Sequence, residues 1–154
     1  MRHNKAGYKL KRNVSARRSL LRNIVTSVIL EERVITTVPK AKAAKPIVDQ
    51  IITLAKREKK DEQLHARRQA ASYLMTPASV QKLFDQIGPR FATRNGGYTR
   101  VVRVGFRKGD GAETAVLELV GSELVRRSAD RAKRREDKLK AMQEGREGGG
   151  PAAS

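Results

Sequence analysis

Leu20, Leu21, Ile24, Val25, Val28 and Ile29 recur at three- and four-residue spacing, the period that puts apolar side chains on one face of an α-helix. Ser15 is placed to cap its start, and the helix is expected to end near Glu31 and Glu32. The β-branched run Val34-Ile35-Thr36-Thr37-Val38 then predicts a short strand, after which Pro39 suits the first turn of a second helix. Ile47, Val48, Ile51, Ile52, Leu54 and Ala55 form the apolar set of that helix, and Pro46 inside it is expected to kink or restart it. A weaker helix follows from Asp61 to about Leu74, with Leu64, Ala71 and Leu74 as its core contacts. Thr76-Pro77 opens a further helix with Val80, Leu83, Phe84 and Ile87 on one face, and Gly88-Pro89 reads as its stop.

From Tyr98 to Lys108 the period falls to two. Val102, Val104 and Phe106 share one face, which is assigned to the core, while Thr99, Val101, Arg103, Gly105 and Arg107 share the other. The turn Gly109-Asp110-Gly111 leads into the apolar run 114–120, so the two segments are expected to pair as an antiparallel hairpin. The fold class is therefore α+β, with about four helices packed on a small, mainly antiparallel sheet over residues 15–121. A basic N-terminal arm, 1–14, precedes it, and a charged extension, helical and then disordered, follows over 122–154.

Charge changes this picture. Among the 154 residues, 34 Lys and Arg face 16 Asp and Glu, a formal net charge of +18, with an isoelectric point near 11.0. Such a chain repels itself unless a polyanion is present, and nucleic acid carries one charge per phosphate. The excess is uneven: 16 basic and 4 acidic residues in 1–60, 9 and 7 in 61–125, 9 and 5 in 126–154. The absence of cysteine excludes disulfides, thiolate chemistry and cysteine-bound zinc. The longest apolar patch, Val25 to Leu30, is too short to span a bilayer, and no signal-peptide core follows the basic start. The expectation is a cytoplasmic protein with no membrane partner.

Catalytic candidates are thin. His3 and His65 have no accompanying ligands or nucleophiles, and Asp110 is explained by turn geometry. The glycines of RNGGYT lack the lysine and hydroxyl of a phosphate-binding nucleotide loop. Neither an enzyme nor a bound metal, cofactor, small-molecule substrate or homo-oligomer is expected.

The basic residues carry the functional reading. In the arm these are Arg2, Lys5, Lys9, Lys11 and Arg12, with His3 as a phosphate contact. Arg17, Arg18 and Arg22 crowd the positive end of the first helix, an arrangement that is unfavourable in isolation and attractive once a phosphate is present. Lys40 and Lys42 open the second helix. In the loop RFATRNGGYTR, Phe91 and Tyr98 are read as anchors and Arg90, Arg94 and Arg100 as outward-facing RNA contacts. Gly96 and Gly97 let a backbone come close, and Tyr98 is counted with the contact set. Arg103 and Arg107 flank Gly105 on the presumed sheet surface. Lys56, Arg57, Lys59 and Lys60 lie among acids and read equally as RNA contacts or a solvated face, as does the charged extension. With 4% aromatic residues, shape and phosphate recognition is expected to dominate over base stacking.

Three long segments, MRHNKAGYKLKRN, RNIVTSVILEERVITTVPKAKAAKPIVDQIITLAKR and KLFDQIGPRFATRNGGYTRVVRVGFRKGDGAETAVLELV, resemble the bacterial large-subunit ribosomal protein L17 family over residues 1 to about 121. The resemblance implies a structural constituent of the large subunit. It would bind 23S rRNA and neighbouring large-subunit ribosomal proteins near the polypeptide exit region and stabilise assembly. It matches Arg2, His3, Lys5, Arg12 and Arg17 to the family's basic start, and Arg90, Arg94, Gly96, Gly97, Tyr98, Thr99, Arg100, Gly105, Phe106 and Arg107 to its loop and strand signature. Ala16 and Pro46 depart from the usual pattern, and residues 122–154 extend past its usual end. The rival reading, a DNA-binding architectural protein, would need dimer symmetry or a groove-entering element, and the sequence displays neither.

Overall fold

The chain enters its first helix, α1 (Val14–Glu31), through Asn13, whose side-chain oxygen accepts a hydrogen bond from the Ala16 N–H at 2.9 Å. Ser15, expected to be the cap, instead donates its hydroxyl to the same oxygen at 3.3 Å. Asn13 has the extended backbone that a cap requires, whereas Ser15 is already inside the helix. The computed structural model describes residues 7–56 and 60–121. The extension 122–154 and the arm residues Arg2, His3 and Lys5 lie outside this set.

Strand β1 (Arg33–Thr37) passes directly into α2 (Val38–Ala55), with Pro39 in its first turn as expected. Helix α2 does not restart at Pro46. Ala41 and Ala44 on one side of the proline, and Val48, Ile51 and Ile52 on the other, are all buried, so tertiary packing holds the helix through the missing N–H.

Helix α3 (Lys60–Tyr73) buries Ala66 and Ala70, with Leu74 just beyond its end, and leaves Leu64 and Ala71 exposed, unlike the expected contact set. Two alanines four residues apart form a flat strip that brings α3 close to its neighbours.

Helix α4 (Pro77–Lys82) continues through a turn of π-helix, Leu83–Ile87, and a last helical turn, Gly88–Arg90. Gly88-Pro89 is therefore not the stop. A Cβ on Gly88 would lie 2.9 Å from the Ala55 carbonyl oxygen, so this glycine permits close contact with the end of α2. The wider π-turn just before Pro89 makes room for a ring that would clash in a regular helix.

The sheet adds β2 (Thr99–Phe106) and β3 (Glu113–Leu119) in the order β1-β3-β2, antiparallel throughout. This is the α+β architecture expected, but the buried face of β2 is the opposite one. Thr99 pairs with Leu119, Val101 with Leu117 and Arg103 with Ala115. All three β3 partners are fully buried, while Val102, Val104 and Phe106 are exposed. The cause lies in β3: Glu118 sits between Leu117 and Leu119, and turning the leucines inward sends Glu118, and with it Arg100 and Val102, to the outer face. A bulge between Arg103 and Gly105 then breaks the alternation, with Gly105 at φ +136°, and Phe106 falls opposite Glu113.

Candidate nucleic-acid interface

The loop arginines are occupied within the fold. Arg90 donates two hydrogen bonds to the Glu32 carboxylate, at 2.7 and 2.8 Å. Glu32 sits in a left-handed conformation at the end of α1, and its backbone oxygen accepts from the Leu119 N–H at 2.9 Å. Lys82 donates to the Leu30 carbonyl at 2.6 Å and lies 3.5 Å from the same carboxylate. The hydrogen bonds from Arg90 hold Glu32 below the ordinary carboxylate pKa; burial opposes them, and the charges of Arg90 and Lys82 assist them. Arg90 therefore points into a junction of α1, α4 and β3 and not outward.

Arg100 donates from two nitrogens to one Glu118 oxygen, at 3.0 and 2.6 Å. Arg94 donates to the Gly96 carbonyl at 3.1 Å, and Lys56 donates to the Arg94 carbonyl at 2.6 Å while lying 5.4 Å from the Tyr98 ring centroid. Gly96 and Gly97 have φ of +123° and +60°, the turn geometry expected of this pair. The aromatic anchors are as expected: Phe91 and Tyr98 are buried, with ring centroids 5.3 Å apart. Arg107 forms a bidentate pair with Asp110 across the hairpin turn. That pair and the Ala112 N–H hold the Asp110 carboxyl down at about 2. Arg103 and Arg107 do not share a face, because the bulge lies between them.

Arg22 is also tied down. It donates to the Tyr73 and Ser72 carbonyls at 2.6 and 3.1 Å, placing a cation on the negative end of α3. The assignments of Arg22, Arg90 and Arg100 were hidden from local sequence because their acceptors are remote in the chain, whereas Arg94 and Arg107 bond to groups two and three residues away. Glu118 was the most accessible of them, since aligning TRVVRV with AVLELV as a hairpin puts it opposite Arg100.

The remaining cations lie elsewhere. Lys9, Arg17 and Lys42 come from the arm, α1 and α2, and converge on one groove of about 650 Å³. Its apolar wall includes Leu21, Pro46 and Ile47, and Tyr8, which sequence reasoning passed over, stands half-exposed at the same groove. None of the three cations has a hydrogen bond or ion pair among the described residues. Lys11, Arg12, Arg18 and Arg103 are exposed, Lys40 is half-buried, and the side chains of these five likewise make no hydrogen bond or ion pair there. Residues 9–12 of the arm form a turn of their own: the Arg12 N–H donates to the Lys9 carbonyl at 3.2 Å, and Leu10 and Lys11 hold φ of +55° and +50°. Two consecutive left-handed non-glycine residues cost about 1–2 kcal/mol each, a strain of the kind found at binding sites. Unpaired cations on preset backbone have the chemistry of a phosphate cradle.

The sequence profile of the family described as ribosomal protein L17 matches residues 20–120. The chain belongs to that family. It is 65% identical over 147 residues to the large ribosomal subunit protein bL17 of Solibacter usitatus (strain Ellin6076), covering 96% of this chain and 95% of the relative. The protein of the same name from Koribacter versatilis (strain Ellin345) is 56% identical over 149 residues, covering 93% and 90%. That from Allorhizobium ampelinum is 47% identical over 134 residues, covering 86% and 92%. The profile span contains the whole sheet and all the arginine clamps described above. Gly7, Tyr8, Lys9 and Arg17 lie on its N-terminal side. Among the described residues no cluster of three metal-ligating side chains occurs, no helix is long and apolar enough to cross a membrane, and His65 is exposed.

Proposed function

We propose that this protein is a structural constituent of the bacterial large ribosomal subunit that binds 23S rRNA and stabilises subunit assembly near the polypeptide exit region without catalysing a reaction. Membership of the ribosomal protein L17 family supports the assignment to the subunit. The observation that carries the binding mode is the groove at which Lys9, Arg17 and Lys42, drawn from three separate elements and left without acidic partners, face one space. A domain that spends Arg22, Arg90, Arg100 and Arg107 on internal contacts yet leaves this set unpaired has divided its cations between holding the fold and holding phosphate. Residues 1–14 act as the arm that completes this face, residues 15–121 as the rRNA-binding domain, and 122–154 as a charged extension along rRNA or a neighbouring ribosomal protein.

Each phosphate neutralised releases counterions, so six to ten contacts would lower affinity roughly 10³–10⁵-fold between about 50 and 200 mM salt. The test is a salt wash of purified large subunits carrying the wild-type chain or the Arg17→Gln, Lys42→Gln double variant. The variant is expected to leave the subunit at lower salt while unfolding in urea as the wild type does. Comigration of the wild type with nucleoid DNA instead of large subunits would favour the architectural DNA-binding reading.

A further inference from the structure

Phosphate binding alone leaves half of the groove unexplained. Lys9, Arg17 and Lys42 would suit any polyanion, but the space they surround also has an apolar wall of Leu21, Pro46 and Ile47 and a half-exposed Tyr8. An A-form duplex presents phosphates and ribose hydroxyls to a protein surface and keeps its base faces stacked out of reach. It would leave the ring and the apolar wall in water. An unstacked nucleotide fits both halves, since its base offers a flat apolar face and its flanking phosphates offer charge. The volume, about 650 Å³, lies in the ~300–1,000 Å³ range of pockets that enclose small ligands.

Resting on the rRNA-binding reading, we infer that the groove between the arm and the first halves of α1 and α2 captures a single unstacked rRNA nucleotide, its base stacked on Tyr8 and its phosphates held by Lys9, Arg17 and Lys42. The arm geometry serves this role. The left-handed pair Leu10 and Lys11 turns the chain immediately after Lys9, and Leu10 is half-buried, so Tyr8 stands on a fixed turn. Tyrosine gives a large stacking surface with few rotatable bonds to immobilise, which lowers the entropy lost on binding. At this groove the base is held by stacking, which accepts any base, while the three cations hold its backbone.

The experiment uses the full-length chain and protein-free large-subunit rRNA, with affinity measured for wild type, Tyr8→Ala, Tyr8→Phe and Lys42→Gln, and with ultraviolet crosslinks from each bound complex mapped by mass spectrometry. Loss of one base–aromatic stack corresponds to roughly 5- to 150-fold weaker binding. Tyr8→Ala is expected to show that loss, together with disappearance of a crosslink joining the Tyr8 peptide to one unpaired nucleotide. Tyr8→Phe is expected to restore both. Lys42→Gln is expected to weaken binding and flatten its salt dependence while keeping the crosslink. Equal affinities for wild type and Tyr8→Ala, or a Tyr8 crosslink spread over paired nucleotides, overturns the inference and leaves the rRNA-binding reading intact. Failure of the wild type to bind the rRNA at all overturns that reading as well.

Discussion

Glu32→Gln removes one charge at the point where the ends of α1, α4 and β3 meet. The wild-type carboxylate receives two hydrogen bonds from Arg90, at 2.7 and 2.8 Å, with Lys82 at 3.5 Å. Glutamine keeps the side-chain shape and the backbone bond to Leu119, but it turns an amide toward a guanidinium that wants an anion. Breaking a fully buried ion pair costs about 3–5 kcal/mol, and breaking a surface pair about 0–1 kcal/mol. Here the Glu32 side chain is 11% exposed and that of Arg90 26% exposed, so water reaches the stranded cation only in part. The expected loss is about 2–3 kcal/mol. With an m-value of about 1–3 kcal/mol/M, the urea midpoint at neutral pH falls by roughly 0.7–3 M and the slope is unchanged. The pH dependence supplies the internal check. Because pairing lowers the folded pKa below the unfolded value of 4.5, the contribution is fully present above that value and disappears as pH falls through the folded pKa. Wild type and Glu32→Gln therefore converge in acid. A loss under about 0.5 kcal/mol at neutral pH, the range of an ordinary surface change, or a gap that stays constant into acid, would refute the clamp and return Arg90 to the pool of cations available for RNA.

Gly88→Ala drives a Cβ to within 2.9 Å of the Ala55 carbonyl, a backbone atom that yields only if α2 and the π-turn separate, so a loss of about 1–3 kcal/mol is expected in the same urea assay. The exposure of Phe106 predicts that Phe106→Ala changes stability by no more than about 0.5 kcal/mol, whereas Leu117→Ala costs about 2–5 kcal/mol; the opposite ranking would return Phe106 to the core. In an NMR titration the Asp110 carboxyl is expected to titrate at about 2, and Arg107→Gln to move it back toward the ordinary aspartate value, since the Arg107 hydrogen bond is the leading cause of the shift. Arg107→Gln is also expected to leave the salt slope of rRNA binding unchanged, while Arg17→Gln lowers its magnitude by about 0.7–0.9 for each phosphate contact removed.

Much of the architecture was legible because its causes are local. The three- and four-residue spacing of α1, Pro39 and Pro77 in first helical turns, and the Gly109-Asp110-Gly111 turn act within a few residues, and each produced the element it foretells. The face of β2 was not legible from β2. Alternation has two phases, and the more hydrophobic phase is exposed because Leu117 and Leu119, through cross-strand register, impose the other. Even that correction stops at the bulge, which removes Phe106 from the phase of Val102.

The division among the cations follows the same logic. Composition alone pointed to a polyanionic partner, since +18 charges on 154 residues repel one another wherever they sit. Which cations remain to meet it is a property of distance in space. Between positions 90 and 100 there is no acid, so the arginines there read as free, yet Glu32 lies 58 residues before Arg90 and Glu118 lies 18 after Arg100. Ion pairing depends on separation in ångströms and not along the chain, so folding paired Arg90 with Glu32 and Arg100 with Glu118 and left Lys9, Arg17 and Lys42 without acidic partners around a groove that no single stretch of sequence contains.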